Sequence, residues 1–339
     1  MIRRFRILAA VLAVFVSAGT AVAQDKVRIS HSTESFAFIP FFTAIAMDYF
    51  SKEGVDAEIV RTGSGSKTVA AVVGESADIA IGSTSSVLLA RKAGIDLRIM
   101  SGLVSQYTSV LVYSKKWAQS HGVTEASSMK DKLAAMKGAR IATSGPGGGD
   151  QIIRYIAALA KLDPDKDLTI QHMGNDTGVF VAATEADRID GFAISAPAPQ
   201  IAKRDLGAII AFNTAVGEVK ELDGYLYIVA SARGNWLESN PDIAKKVVKV
   251  FQRALDALKD PKENLVARDA VHQKYYSDVP KRLFDDVWEE ATQSASPSTK
   301  VSMAALTQVT EFVNQFQKNP KKQIDPADLP ASFTNAYAQ

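Results

Sequence analysis

The sequence predicts an α/β protein built from two similar lobes, and three observations lead there. The first is size: 339 residues, 47% apolar and 22% charged, suit roughly two globular domains that each bury a core. The second is an internal repeat at an offset of 112 residues. It places Val27-Arg28-Ile29 on Ala139-Arg140-Ile141, Val69-Ala70-Ala71 on Val181-Ala182-Ala183, Asp78 on Asp190 and Ser83 on Ser195. The third is the alternation of strand-like and helix-like runs in the same order in both copies, the pattern of βαβ units around a mostly parallel sheet.

In chain order, residues 1–23 stand apart. Arg3, Arg4 and Arg6 precede the short apolar run Ile7–Val16, and Ala21-Val22-Ala23 supplies a small-x-small cleavage pattern. This is the form of a secretory signal peptide cut after Ala23, and the apolar run is too short to span a bilayer. With no cysteine in the chain, anchoring through a lipidated N-terminal cysteine is ruled out, so a periplasmic, Sec-exported protein that is not a lipoprotein is expected.

Each copy then reads strand, helix, strand, helix, strand. The first has Val27–Ser30, Pro40–Phe50, Ala57–Val60, Lys67–Val73 and Asp78–Ile81; the second has Ala139–Ala142, Gln151–Leu162, Leu168–Gln171, Gly178–Thr184 and Asp190–Ile194. The apolar runs Ile99–Val104 and Ser109–Ser114 carry the chain towards the second lobe, and Tyr225–Ala230 returns it. Asn240-Pro241-Asp242 reads as an N-cap with proline at the first helical position, opening a helix to about Lys259. Further helices are expected near 264–276, 280–293 and 302–317. The lobes are therefore expected at 24–112 with 225–339, and at 113–224, with the C-terminal helices packing on lobe one.

Charge and motifs exclude several functions. The sequence holds 39 basic and 37 acidic side chains; without the three leader arginines the balance is 36 against 37, a net of −1. Nothing in that balance points to nucleic acid. The absence of cysteine removes disulfides, thiolate metal sites and a cysteine nucleophile. Gly63-Ser-Gly-Ser-Lys67-Thr68 imitates the end of a phosphate-binding loop, but the lysine does not follow a glycine and the four-residue spacer is missing. His31, His121, His172 and His272 show no metal-binding spacing, and a structural role is expected for His31 and His172 near strand ends. Asp78 and Asp190 read as capping or turn residues. No cofactor, metal or catalytic set is expected.

Binding chemistry is expected in the loops that follow the strands, where helix N-termini present free amides and partial positive charge. Five such loops share one character: Ser32–Ser35, Gly63–Ser66, Gly82–Ser86, Thr143–Gly149 and Asn175–Thr177, all rich in hydroxyls and glycine. Ser and Gly also favour caps and turns, so each loop alone has a structural explanation. Phe36 lies in its loop and is the aromatic best placed to stack on a ligand. Tyr107 and Tyr225 fall in or beside the crossings, where hinge and cleft meet. Arg61, Lys67 and Arg154 stand near the mouth and read as solvated.

The stretches AIAMDYFSKEG (Ala44–Gly54), AVVGESADIAIGS (Ala71–Ser83), GARIATSGPGGG (Gly138–Gly149) and DGFAISAP (Asp190–Pro197) resemble periplasmic substrate-binding proteins of ABC importers. The branch is the one for nitrate, sulfonate, taurine and bicarbonate, which includes thiamine-pyrimidine-synthase-like proteins. The resemblance implies a type II-like two-lobed fold that closes on a small ligand and docks onto permease subunits. It implies ligand contacts from Ser32, Thr33, Ser35 and Phe36, from Gly63 and Ser64, and from Ser83 and Thr84. Lobe two would add Ser144, Gly147, Gly148 and Asn175; Ser195, the repeat partner of Ser83, and Tyr225 complete the candidate set. The enzymes of that branch carry a cysteine-containing motif that this chain lacks. A small anion captured by a monomeric binding protein is the leading expectation. A secreted enzyme on the same fold and a ligand sensor that signals to a partner stay open.

Overall fold

A computed structural model describes residues 24–174, 176–317 and 319–338. The expected leader and candidate Asn175 lie outside them. The first copy holds β1 (Asp25–His31), α1 (Ile39–Ala46), α2 (Tyr49–Lys52), β2 (Val55–Arg61), α3 (Gly65–Val73), β3 (Ile79–Ser83), α4 (Thr84–Lys92) and β4 (Leu97–Val104). The chain then enters the second lobe: β5 (Ser109–Tyr113), α5 (Lys115–Ser120), α6 (Met129–Ala134), β6 (Arg140–Thr143), α7 (Gly148–Leu159), β7 (Thr169–His172), α8 (Thr177–Glu185), β8 (Gly191–Ser195), α9 (Ala198–Leu206) and β9 (Ile209–Asn213). It returns through β10 (Ile228–Arg233) and ends in α10 (Gly234–Ser239), α11 (Pro241–Lys259), α12 (Pro261–Tyr275), α13 (Lys281–Gln293) and α14 (Met303–Asn314).

Two five-stranded sheets result, ordered β2-β1-β3-β10-β4 and β7-β6-β8-β5-β9. By the repeat, β1, β2 and β3 correspond to β6, β7 and β8. In each sheet the fourth strand of that order is antiparallel and comes directly after a crossing: β5 after the first, β10 after the second. The lobe boundary expected after Val112 therefore falls inside a strand. Ser109–Val112 belong to lobe two, because β5 pairs with β8 and β9 and turns Val110 and Val112 onto the buried Phe180 and Phe192. No described helix is long and apolar enough to cross a membrane.

The repeat is held in register by one ion pair used twice. Arg28 bonds Asp78 through its backbone N–H (2.9 Å), Nε (3.1 Å) and a terminal guanidinium nitrogen (2.7 Å). Arg140 does the same to Asp190 at 2.9, 2.9 and 2.7 Å. These aspartates tie the first strand of each copy to the third, a larger role than the cap or turn expected of them. Burial alone would raise their pKa values, but the arginine and backbone bonds outweigh it and hold both carboxylates below their usual range.

Local chemistry explains where elements break. The single helix expected over Pro40–Phe50 divides into α1 and α2 because Asp48 takes a left-handed conformation, φ 56°. α12 starts earlier than expected, at Pro261, since the Asp260 carboxylate accepts from the amides of Lys262 and Glu263, each at 2.9 Å. Asn240 precedes α11 but does not cap it; its side-chain amide donates to Trp236 O instead. α11 and α14 pack on lobe one, against α1 and α4 respectively.

Candidate functional site

A cavity of about 80 Å³ lies between the lobes. Its walls come from the carboxyl ends of β1, β3, β6 and β8 and from the helices that follow, which is where an open α/β sheet leaves room for a ligand. Seven pairs of lining residues are related by the 112-residue offset, among them Ser32 with Ser144, Gly65 with Thr177 and Ser83 with Ser195. The two copies thus face one another with equivalent positions. Ser109, Tyr227 and Ile228, from the strands and crossing at the hinge, form the base.

Four α-helices begin at this cavity or its rim, and their caps differ. Ser64 accepts from Lys67 N (3.4 Å) at α3, Ser83 from Ser86 N (3.3 Å) at α4, and Asp176 from Gly178 N (2.8 Å) at α8. At α7 the cap is Gly147, which has no side chain to offer and sits at φ 129°, a conformation that favours glycine. Gly148 and Gly149 follow because there is no space beside them. A Cβ on Gly148 would lie 2.7 Å from Tyr227 Oη, and one on Gly149 would lie 1.9 Å from Thr143 Oγ1. No side chain caps the first turn of α7, so its leading amides are left without a side-chain acceptor at the cavity.

The lining is hydroxyl-rich and nearly uncharged. Ser83 Oγ and Ser86 Oγ are 2.8 Å apart, and Thr108 Oγ1 bonds Ser195 Oγ at 2.8 Å. Burial pushes the Tyr227 phenol up, and it shares a hydrogen bond with Ser109, so it stays protonated at neutral pH. Among the described residues no lysine, arginine or histidine lines the cavity, and Glu34 is the one acidic side chain in its lining. Glu34 pairs with Arg61 at the rim at 3.0 Å. Arg154 is engaged by Asp150 (2.6 Å) and Asp165 (2.7 Å) rather than simply solvated. His31 is buried among Phe38, Phe41 and Phe42 with Nδ1 on Thr33 O at 3.1 Å, and burial lowers its pKa; it is a neutral structural group. No group of three or more metal-ligating side chains occurs among the described residues.

Of the sequence candidates, Ser32, Thr33, Ser35, Ser83, Ser144, Gly147, Gly148 and Ser195 line the cavity. Five others lie elsewhere. The Phe36 ring, expected to stack on ligand, packs instead on Tyr276 and Phe284 at 4.9 and 5.2 Å, because the loop turns its backbone inward to bond Ala196 O. Gly63 stands at the rim beside Arg61, and Ser64 is used as the α3 cap. Thr84 is fully buried behind the α4 cap, and Tyr225 is buried against Tyr107 and Phe312. The sequence candidates omitted Ser86, Ser109, Gly149, Thr177 and Tyr227. Thr177 and Gly149 are readable from the repeat and the glycine run, whereas Tyr227 differs from Tyr225 only in lying two residues nearer the cleft.

With that geometry in view, comparison with known proteins gives one pattern. The family model described as NMT1/THI5 like matches residues 35–264, more than half of the chain. The chain belongs to the NMT1/THI5-like family. A curated relative, YtlA of Bacillus subtilis (strain 168), is named as a binding protein; it is 26% identical over 275 residues, covering 77% of this chain and 71% of that one. The periplasmic nitrate-binding protein NrtA of Synechocystis PCC 6803 superposes with a TM-score of 0.73 at 15% identity, covering 93% of this chain and 87% of NrtA. The alkanesulfonate-binding protein SsuA of Xanthomonas axonopodis pv. citri, solved with MOPS, gives 0.72 at 16% identity, over 93% and 99%. These likenesses establish the two-lobed periplasmic-binding-protein fold for this family member.

Proposed function

We propose that the protein is a periplasmic solute-binding protein that captures a small anion between its lobes and delivers it to an ABC permease, without catalysing a reaction. The observation that carries this reading is the N-terminus of α7, without a side-chain cap, facing a hydroxyl-lined cavity with no lysine, arginine or histidine among its described lining residues. A helix end contributes about 0.3–1 kcal/mol to a nearby anion, and up to about 2 in a partly buried geometry. A desolvated anion needs several such bonds at once, because burial without partners costs more than one bond returns. Closure of the two lobes brings them together, since Ser32, Ser35 and Ser83 come from one lobe and Ser144 with the α7 amides from the other. The names of the relatives support a binding role, with a sulfonate or nitrate as guest, and a periplasmic location.

A thermal-shift screen of sulfonates, carboxylates, nitrate and pyrimidines tests the reading. A specific guest at a hundred times its Kd stabilises the fold by about 2.7 kcal/mol, which raises Tm clearly. Expected is a rise with at least one anion that is reduced in both Ser32→Ala and Ser144→Ala. A rise only with uncharged pyrimidines, or with nothing, overturns it.

A further inference from the structure

The lobes are also joined behind the base of the cavity, of which Tyr227 is part. Tyr107 lies in the first crossing, and Tyr225 and Tyr227 in the second; all three are buried. Tyr107 stacks on Tyr227 with centroids 4.5 Å apart and an interplanar angle of 23°. Phe312 of α14 touches Tyr107 at 5.7 Å and Tyr225 at 5.3 Å. From the second lobe, Tyr155 of α7 completes the cluster, 5.1 Å from Phe312 and 6.3 Å from Phe316. The C-terminal helix of lobe one therefore packs on the same helix whose N-terminus faces the cavity.

Two phenols in this cluster are used differently. The Tyr107 hydroxyl donates to the carbonyl of Gly148, the first residue of α7. The Tyr225 hydroxyl is buried and has no hydrogen-bond partner among the described residues. The first ties the start of α7 to the first crossing, and the second is a desolvated group left without a partner in this arrangement.

We propose that this aromatic cluster is a clasp that positions α7: Tyr107, with Tyr155 on Phe312, holds the second lobe closed without a guest. Tyr107 is thus a positioning residue that tunes affinity from outside the cavity, while the buried hydroxyl of Tyr225 keeps the closed state from becoming too stable. The affinity consequence rests on the function proposed above, since a guest gains only from the fraction of molecules already closed. The clasp itself does not depend on it.

The test needs no guest. Ala70 and Ala182 are exposed, repeat-related positions on α3 and α8, one in each lobe, and the chain has no native cysteine. Spin labels on Ala70→Cys and Ala182→Cys in the full ligand-free protein report the interlobe distance by pulsed electron resonance. Expected is a short-distance population in the wild type. In Tyr107→Phe the open-to-closed ratio should rise about fivefold, the worth of one ordinary hydrogen bond. In Tyr225→Phe the ratio should stay level or fall. A wild type confined to the long distance overturns the clasp, as does an unchanged Tyr107→Phe. Equal opening in both variants also overturns it, because that signature belongs to lost packing alone. A protein that passes this test but binds no anion would sink the proposed function and leave the clasp standing.

Discussion

After the first strand of each copy, lobe one carries Ser32-Thr33-Glu34-Ser35 and lobe two carries Ser144-Gly145-Pro146-Gly147. The frame behind these segments is the same, down to the Arg28–Asp78 and Arg140–Asp190 pairs. What each lobe offers to the cavity differs. Lobe one closes its own helical turn with the Ser35 hydroxyl, which accepts from Ala37 N at 3.3 Å, and presents side-chain oxygens. Lobe two replaces that serine with Gly147 and presents bare amides. The comparison teaches that a duplicated scaffold fixes which loops face the cavity, while small substitutions at matched positions decide whether side chain or backbone is offered there.

The sharpest way to break the comparison is to exchange the residues at one matched position. Gly149 and Ala37 are repeat partners, and only Gly149 lacks room for a methyl group, with Thr143 Oγ1 at 1.9 Å and Ala193 O at 3.2 Å from its Cβ position. Gly149→Ala should cost about 1–3 kcal/mol in urea unfolding and lift the α7 amides away from the cavity. Ala37→Gly should cost only about 0.5–1 kcal/mol. Equal losses would mean that the two lobes are packed alike.

A smaller effect probes what the lobes share. Asp78→Asn and Asp190→Asn should each lower stability by about 1–2 kcal/mol at pH 7, discounted because the arginines are more than a third exposed. The folded pKa values are depressed, so the contribution is present above the unfolded value of about 3.9 and disappears as pH falls through the folded one. Unfolding followed from pH 7 to pH 2.5 should show wild type and variants converging at the acid end. A gap that persists there assigns the loss to packing instead of charge.

The smallest effect concerns the side-chain wall of lobe one. Glu34 is the acidic residue lining the cavity, where lobe two has Pro146. Glu34→Gln should tighten binding of whichever anion gives the thermal shift by roughly three- to tenfold at low salt, with the gain shrinking as salt rises. Weaker binding in calorimetry would show that the guest also carries a positive group that Glu34 receives.

Much of this was legible before folding. The repeat offset identified matched serines, Ser32 with Ser144 and Ser83 with Ser195, and the glycine run after β6 marked a close approach of backbone. Those signals are local: turn chemistry, period and spacing. Phe36 and Tyr225 were misplaced for a different reason. A loop aromatic can turn towards a cleft or into the core, and the choice depends on Tyr276 and Phe284, which lie roughly 240 residues further along the chain. Lobe two begins four residues earlier than expected, at Ser109, because β5 takes its position from its partners β8 and β9 and not from its own sequence.

The chain by itself determined two similar α/β units, the hydroxyl- and glycine-rich loops that follow their strands, and the absence of thiol chemistry, because periodicity, capping and composition act over a few residues. Only the tertiary structure decided which hydroxyls share a cavity, that Tyr227 reaches it while Tyr225 does not, and that α14 grips α7 behind it. Those outcomes depend on which surfaces exclude water together, and that is a property of distant segments meeting in space.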